Sequence, residues 1–90
     1  MKIIFSHGKE SGPWGSKITR LANVSKELGF EVDSLDYTDL VNPDERVIRL
    51  SNYLKSETQP YILVGSSMGG YVSLITAKTY KPSGLFLLAP

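Results

Sequence analysis

The sequence contains no cysteine and a single histidine, His7. Without cysteine the chain has no disulfides, no thiolate metal sites and no thiol catalysis, although this absence leaves the cellular compartment open. Near the N-terminus the apolar run Ile3–Phe5 is only three residues long, too short for the core of a signal peptide or for a membrane span. We therefore expect a cytoplasmic protein that does not enter a membrane.

Charge of neither sign is in excess, because ten Lys and Arg residues balance nine Asp and Glu residues and leave a net charge of +1. This balance predicts no nucleic-acid partner and no charged tail. Ninety residues allow one domain at most, and a hydrophobic content of 41% is that of an ordinary soluble globular protein.

Short apolar runs alternate with segments of helical periodicity along the chain. Strands are predicted at Ile3–Phe5, Phe30–Leu35, Tyr61–Val64 and Leu85–Ala89. Three helices are predicted between them: one with an apolar stripe from Trp14 to Leu28 that ends at Gly29, one that begins at an Asn42 cap, and one from Ser67 to about Tyr80. This order predicts a three-layer α/β fold, with a mostly parallel sheet of about four strands and helices on both faces.

The segment Gly65-Ser66-Ser67-Met68-Gly69 has the pattern Gly-x-Ser-x-Gly and lies between an apolar run and a helical segment. The five-residue pattern alone is weak, but this position predicts a strand, a tight turn and a helix, with Ser67 at the apex of the turn. A turn this sharp needs positions without a Cβ atom on either side of the serine, which explains Gly65 and Gly69.

A serine hydroxyl becomes a nucleophile when a neighbouring base takes its proton, and acyl transfer also needs N–H donors for the oxygen that becomes negative. The N–H of Met68 is available at the start of the helix after the turn. A second N–H is expected from Lys9, in the loop after the first strand, where Gly8 lets the backbone come close. Both loops follow strands of a parallel sheet, so we expect them to meet at the same edge.

His7-Gly8 after the first strand, Gly65–Gly70 after the third and the segment Leu-Phe-Leu-Leu-Ala-Pro at 85–90 resemble the α/β-hydrolase superfamily, in particular its small esterase-like members. The resemblance implies a sheet in which Phe30–Leu35 is outermost, followed by the first, third and fourth strands. It implies a carboxylesterase-like serine hydrolase that acts on a small-molecule ester-like substrate and needs no metal or organic cofactor.

The resemblance also implies a role for individual residues. Ser67 corresponds to the catalytic nucleophile, and the backbone N–H groups of Met68 and Lys9 correspond to the oxyanion hole. In this resemblance Gly65 and Gly69 support the tight turn at Ser67 (the nucleophile elbow), and Gly8 and His7 support the neighbouring loop.

The chain departs from the family in one respect, because no Asp, Glu or His follows Ser67. In the family the acid and the histidine come after the nucleophile. We therefore expect residues 1–90 to be the N-terminal half of a longer hydrolase domain and to be inactive alone. The continuous apolar run Leu85–Ala89 supports the same expectation, because it is typical of a strand buried on both faces, and no residues after Pro90 are present to cover it or to pair with its edge. The free edge could also support self-association.

Some alternatives stay open at this stage. Ser67 could cap the following helix through its hydroxyl, and the scaffold could be a non-catalytic module that binds a small molecule or a protein. His7 could act as a base instead of a structural loop residue. Trp14 is expected in the core, although a place in a pocket wall is also open. Turn and cap roles are expected for Asp36 and Asp39.

Overall fold

Four parallel strands and three helices alternate along the computed structural model, which describes residues 1–88. The strands are β1 (Lys2–Ser6), β2 (Glu31–Leu35), β3 (Tyr61–Ser66) and β4 (Gly84–Leu88). The helices are α1 (Ser16–Glu27), α2 (Pro43–Lys55) and α3 (Met68–Ala77). The strand order is β2-β1-β3-β4, and every neighbouring pair is parallel. The predicted fold class and strand order are therefore confirmed, whereas Ala89 of the predicted fourth strand lies outside the described residues.

The two faces of the sheet carry separate apolar cores, because successive side chains of a strand point to opposite faces. Ile4 and Leu63 lie on the face that α2 and α3 cover. Ile3, Phe5 and Val64 lie on the other face, which α1 covers. The central strands β1 and β3 are thus buried on both sides, and the loops that follow them are held at one edge of the sheet.

The helix ends follow the signals in the sequence. Gly29 has a φ of +91°, and the N–H groups of Gly29 and Phe30 donate to carbonyls in the last turn of α1. Asn42 caps α2, since its side-chain oxygen accepts a hydrogen bond of 2.7 Å from the N–H of Asp44. The third helix ends at Ala77, three residues earlier than predicted, and residues 78–80 form a turn closed on the carbonyl of Thr76.

The prediction that Trp14 lies in the core is wrong. Helix α1 begins only at Ser16, so Trp14 lies in the preceding turn, where 49% of its surface is exposed. The helix contacts the sheet through the row Ile18 and Ala22, and the adjacent row that contains Val24 faces outward. Both rows are apolar, so periodicity alone did not decide which one faces the sheet.

Strand β4 is an edge strand, and no strand within residues 1–88 pairs with its outer side. Its apolar sequence is typical of a strand covered on both faces, yet Phe86 is 58% exposed and Leu87 is 51% exposed. Self-association through this edge stays a prediction. Across residues 1–88, each helix falls short of the length and apolar content that crossing a bilayer requires.

The first turn of α3 lies directly against the end of β1. A Cβ atom added to Gly69 would overlap the carbonyl of Ser6 and would lie 2.8 Å from the carbonyl oxygen of His7. One residue further along, a Cβ atom added to Gly70 would meet only ordinary contacts, at 3.7 Å from Leu87 and 3.8 Å from the oxygen of Gly65. Gly69 therefore sets the separation between helix and sheet, whereas Gly70 does not.

This difference predicts opposite effects for two neighbouring alanine substitutions. Gly69→Ala should lower the free energy of unfolding by about 3 kcal/mol or more, because neither backbone can move away. Gly70→Ala should be neutral or stabilising by up to about 1 kcal/mol, because alanine favours a helix over glycine. Urea unfolding of both variants measures these values, and equal midpoints would contradict the proposed role of Gly69.

Candidate functional site

Ser67 forms the apex of a sharp turn between β3 and α3. Its φ of +54° and ψ of −120° make it the one non-glycine residue with a positive φ in residues 1–88. A backbone held in this region costs about 1–3 kcal/mol. The side chain is exposed and makes no capping hydrogen bond to α3, so the capping alternative is wrong. The turn thus holds an exposed hydroxyl above the end of the sheet.

The glycines around Ser67 are packed backbone against backbone. A Cβ atom added to Gly65 would overlap the carbonyl of Gly69 and would lie 2.6 Å from the Cα atom of Gly70. A Cβ atom added to Gly8 would lie 3.2 Å from the Cβ atom of Ser67. The structure therefore brings the loop after β1 into direct contact with the serine turn.

Two backbone N–H groups near this contact have no acceptor within residues 1–88. Met68 is the first residue of α3, and Lys9 follows Gly8 in the loop after β1. Neither the N–H of Met68 nor that of Lys9 donates a hydrogen bond to any group in residues 1–88. The N–H of Gly8, in contrast, donates to the hydroxyl of Ser11 at 3.1 Å. The side chain of Lys9 points into solvent.

A cleft of about 280 Å³ opens beside Ser67. Its wall consists of the loop after β1, the start of α1 and the serine turn, and the lining residues include Gly8, Ser11, Gly12 and Ser66. This volume lies near the lower end of the range for ligand pockets, so the cleft suits a small group.

His7 is fully buried, and both of its ring nitrogens are engaged by the backbone. The Nε2 atom accepts a hydrogen bond of 2.9 Å from the N–H of Tyr37. Because Nε2 accepts, the proton of the neutral ring lies on Nδ1, which donates to the carbonyl of Gly8 at 2.8 Å. Burial, together with the charge of Arg46, keeps the pKa of His7 below its ordinary value. The ring therefore has no nitrogen left to take a proton from Ser67.

Arg46 is buried beneath the same loop, with 1% of its surface exposed. Its Nε atom donates to the carbonyl of Leu40 at 2.7 Å, and its Nη1 atom donates to the carbonyls of Gly8 at 3.2 Å and His7 at 3.4 Å. The guanidinium also lies 5.5 Å from the centre of the Tyr37 ring. Burial lowers the pKa of Arg46, although an arginine remains charged at any pH at which the protein is folded.

Sequence reasoning missed Arg46 and Tyr37. A signal for Arg46 exists, because it stands four residues before Leu50 and eight before Leu54 on the buried face of α2. A charged residue at a core position indicates a buried polar partner. Tyr37 has no such signal, because it lies in the loop after β2, where no periodicity applies.

Of the two aspartates at this edge, Asp36 has the expected turn role, whereas Asp39 is in an ion pair. Asp36 accepts hydrogen bonds from the N–H and the hydroxyl of Thr38, and Asp39 forms an ion pair with Arg49. These bonds lower the pKa of both carboxyl groups. Over residues 1–88, no three His, Asp or Glu side chains are grouped so that they could hold a metal ion.

The chain was compared with known proteins and with solved structures. The chain is similar to a protein from Xanthomonas campestris pv. campestris that is described as a candidate hydrolase of the alpha/beta superfamily. The two share 33% sequence identity with a TM-score of 0.90, over 99% of this chain and 58% of that one. This chain therefore spans a little more than half the length of the structure it matches. No family model and no curated protein matches the sequence.

The neutral, buried ring of His7 predicts a dependence of stability on pH. The unfolded chain takes up a proton as the pH falls through about 6.5, whereas the folded ring resists it, so the free energy of unfolding should decrease on acidification. Between pH 7 and 5.5 we expect a loss of up to about 1 kcal/mol from this group.

Urea unfolding at several pH values measures this loss. In His7→Gln the overall stability should be lower, but its decrease between pH 7 and 5.5 should be smaller than in the wild type. Parallel pH profiles for the two proteins would show that His7 does not titrate as the structure implies.

Proposed function

Because the chain belongs to the α/β-hydrolase superfamily, we propose that it carries the nucleophile and the oxyanion hole of a serine hydrolase that cleaves ester-like acyl bonds. The observation that carries this proposal is the strained, exposed Ser67 beside two backbone N–H groups that have no acceptor in the described part of the chain. A strained backbone is expected where a fold holds a reactive group in position.

In the proposed mechanism, the Oγ atom of Ser67 attacks the carbonyl carbon of the substrate while a base takes the hydroxyl proton. The carbonyl oxygen becomes negative and accepts hydrogen bonds from the N–H groups of Met68 and Lys9. Collapse of this intermediate expels the alcohol and leaves an acyl group on Ser67. Water then attacks the acyl group, which releases the acid and restores the hydroxyl.

The helix dipole of α3 adds to this arrangement. Met68 lies at the N-terminal end of the helix, where the partial positive charge favours a developing oxyanion. Loss of one oxyanion donor typically raises the barrier by about 2.7–4 kcal/mol. The structure therefore supports transition-state stabilisation by backbone groups, which remain when the side chain at position 9 or 68 is truncated to alanine and are lost only when proline replaces the residue.

The general base and its orienting acid are proposed to come from residues outside 1–90. Residues 68–90 contain no Asp, Glu or His, and the ring of His7 is fully occupied by Gly8 and Tyr37. The matched structure is longer than this chain, which supports a complete site formed with further residues.

Substitution of Ser67 tests the proposal. In the protein at its full natural length, a fluorophosphonate probe should label Ser67, and Ser67→Ala should abolish labelling and lower ester turnover by about 10³-fold or more. Ser56→Ala is the control, since Ser56 lies at the C-terminal end of α2 and is not among the residues that line the cleft. It should retain labelling at a rate close to that of the wild type.

A second outcome would favour the non-catalytic alternative. If the full-length protein is folded and the probe reacts equally with the wild type and Ser67→Ala, or with neither, the scaffold serves as a binding module. The observation that favours this alternative is that residues 68–90 contain no Asp, Glu or His to act as the acid and the base.

A further inference from the structure

We propose that Arg46 is a positioning residue for the oxyanion hole, because it fixes the peptide between Gly8 and Lys9 from the buried side. This inference rests on the proposed function, since it concerns the same N–H of Lys9. Arg46 does not touch the substrate in this proposal and acts only through the backbone.

The carbonyl oxygen of Gly8 is held by two donors. The Nδ1 atom of His7 donates to it at 2.8 Å, and the Nη1 atom of Arg46 donates to it at 3.2 Å. Both donor side chains are buried, with exposures of 0% for His7 and 1% for Arg46. This carbonyl is therefore fixed in direction by two groups that have little freedom to move.

The direction of this carbonyl also fixes the N–H of Lys9. In a planar trans peptide the C=O and the following N–H point in opposite directions, and none of the peptide bonds in residues 1–88 is cis. Because the carbonyl points to the buried Arg46, the N–H of Lys9 points away from it, toward the exposed side of the loop. Gly8 lies in this loop and contacts Ser67 of the serine turn. The N–H of Lys9, the next residue, is therefore expected to lie close to that turn.

Arg46 itself is anchored at a second point. Its Nε atom donates to the carbonyl of Leu40, while its Nη1 atom reaches the loop after β1. A guanidinium can make both contacts at once because its donors form a rigid fork, whereas the ammonium of lysine is a single point. The side chain of Arg46 thus links the loop after β2 to the peptide that carries the N–H of Lys9.

The burial of this charge has no ion pair to explain it. Among residues 1–88 no carboxylate lies within 4.0 Å of Arg46; Asp39 pairs with Arg49, and Glu57 pairs with Lys2. Burying a cation against backbone carbonyls and one aromatic ring is costly, and an apolar side chain would fill the same space at lower cost. Fixing the orientation of the loop gives a reason for a cation at this position.

The test follows the amide of Lys9 by NMR in the full-length protein before and after a phosphonate probe reacts with Ser67. In the wild type, the amide proton should move downfield when its N–H donates to the phosphonyl oxygen of the adduct. Arg46→Met and Arg46→Lys should reduce this movement and slow the reaction of the probe by about 10- to 100-fold, since a donor displaced by about 1 Å loses much of its effect.

Arg49→Met is the matched control, because Arg49 lies one turn further along α2 and its side-chain hydrogen bonds within residues 1–88 go to Asp36 and Asp39 in the loop after β2. It should react with the probe at the wild-type rate and show the wild-type shift of Lys9. Thermal unfolding of each variant separates loss of the fold from loss of orientation, and Arg46→Lys decides the test if Arg46→Met does not fold.

The outcomes are distinct. A folded Arg46→Lys variant with the wild-type rate and the wild-type Lys9 shift overturns this inference and leaves the proposed function intact. A wild-type adduct in which the Lys9 amide does not move overturns it without any variant. A wild type that the probe does not label at Ser67 rejects the proposed function and this inference with it.

Discussion

The backbone contact between the first turn of α3 and the ends of β1 and β3 is the constraint on which the site depends. Gly65 and Gly69 allow this contact because any Cβ atom at either position would overlap a neighbouring backbone. The close approach bends the chain sharply at residue 67 and directs the start of α3 toward the loop after β1. A longer side chain at either glycine would separate the hydroxyl from both of the proposed N–H donors.

A buried polar cluster of His7, Tyr37 and Arg46 supports this edge of the sheet from below. Its members come from the loops after β1 and β2 and from α2, and most of their hydrogen bonds are made to backbone atoms of another segment. The hydroxyl of Tyr37 adds a bond of 2.9 Å to the hydroxyl of Ser6 at the end of β1. Removing one buried partner typically costs about 1–3 kcal/mol, because the other partner is left unsatisfied. The cluster therefore restrains the backbone at the start of the loop after β1.

The sequence predicted the fold and the meeting of the loops after β1 and β3 because these depend on local signals. Apolar runs, the Asn42 cap, Gly29 and the glycines around Ser67 each act over a few residues, and parallel strands bring their carboxyl ends together. The exposure of the Trp14 side chain and the burial of Arg46 depend on contacts between segments far apart in sequence. A row of apolar residues does not reveal which side faces the sheet, and a charged residue on a helix is ordinarily assigned to solvent.

The positive φ of Ser67 has a consequence for how this protein responds to selection. Glycine adopts that backbone conformation without the steric penalty that a Cβ atom brings, so it would relieve the strain at this position. In a library screened only for folded material, glycine should therefore become enriched at position 67 and the hydroxyl should be lost. A screen for thermal tolerance and a screen for reactivity would drive this residue in opposite directions.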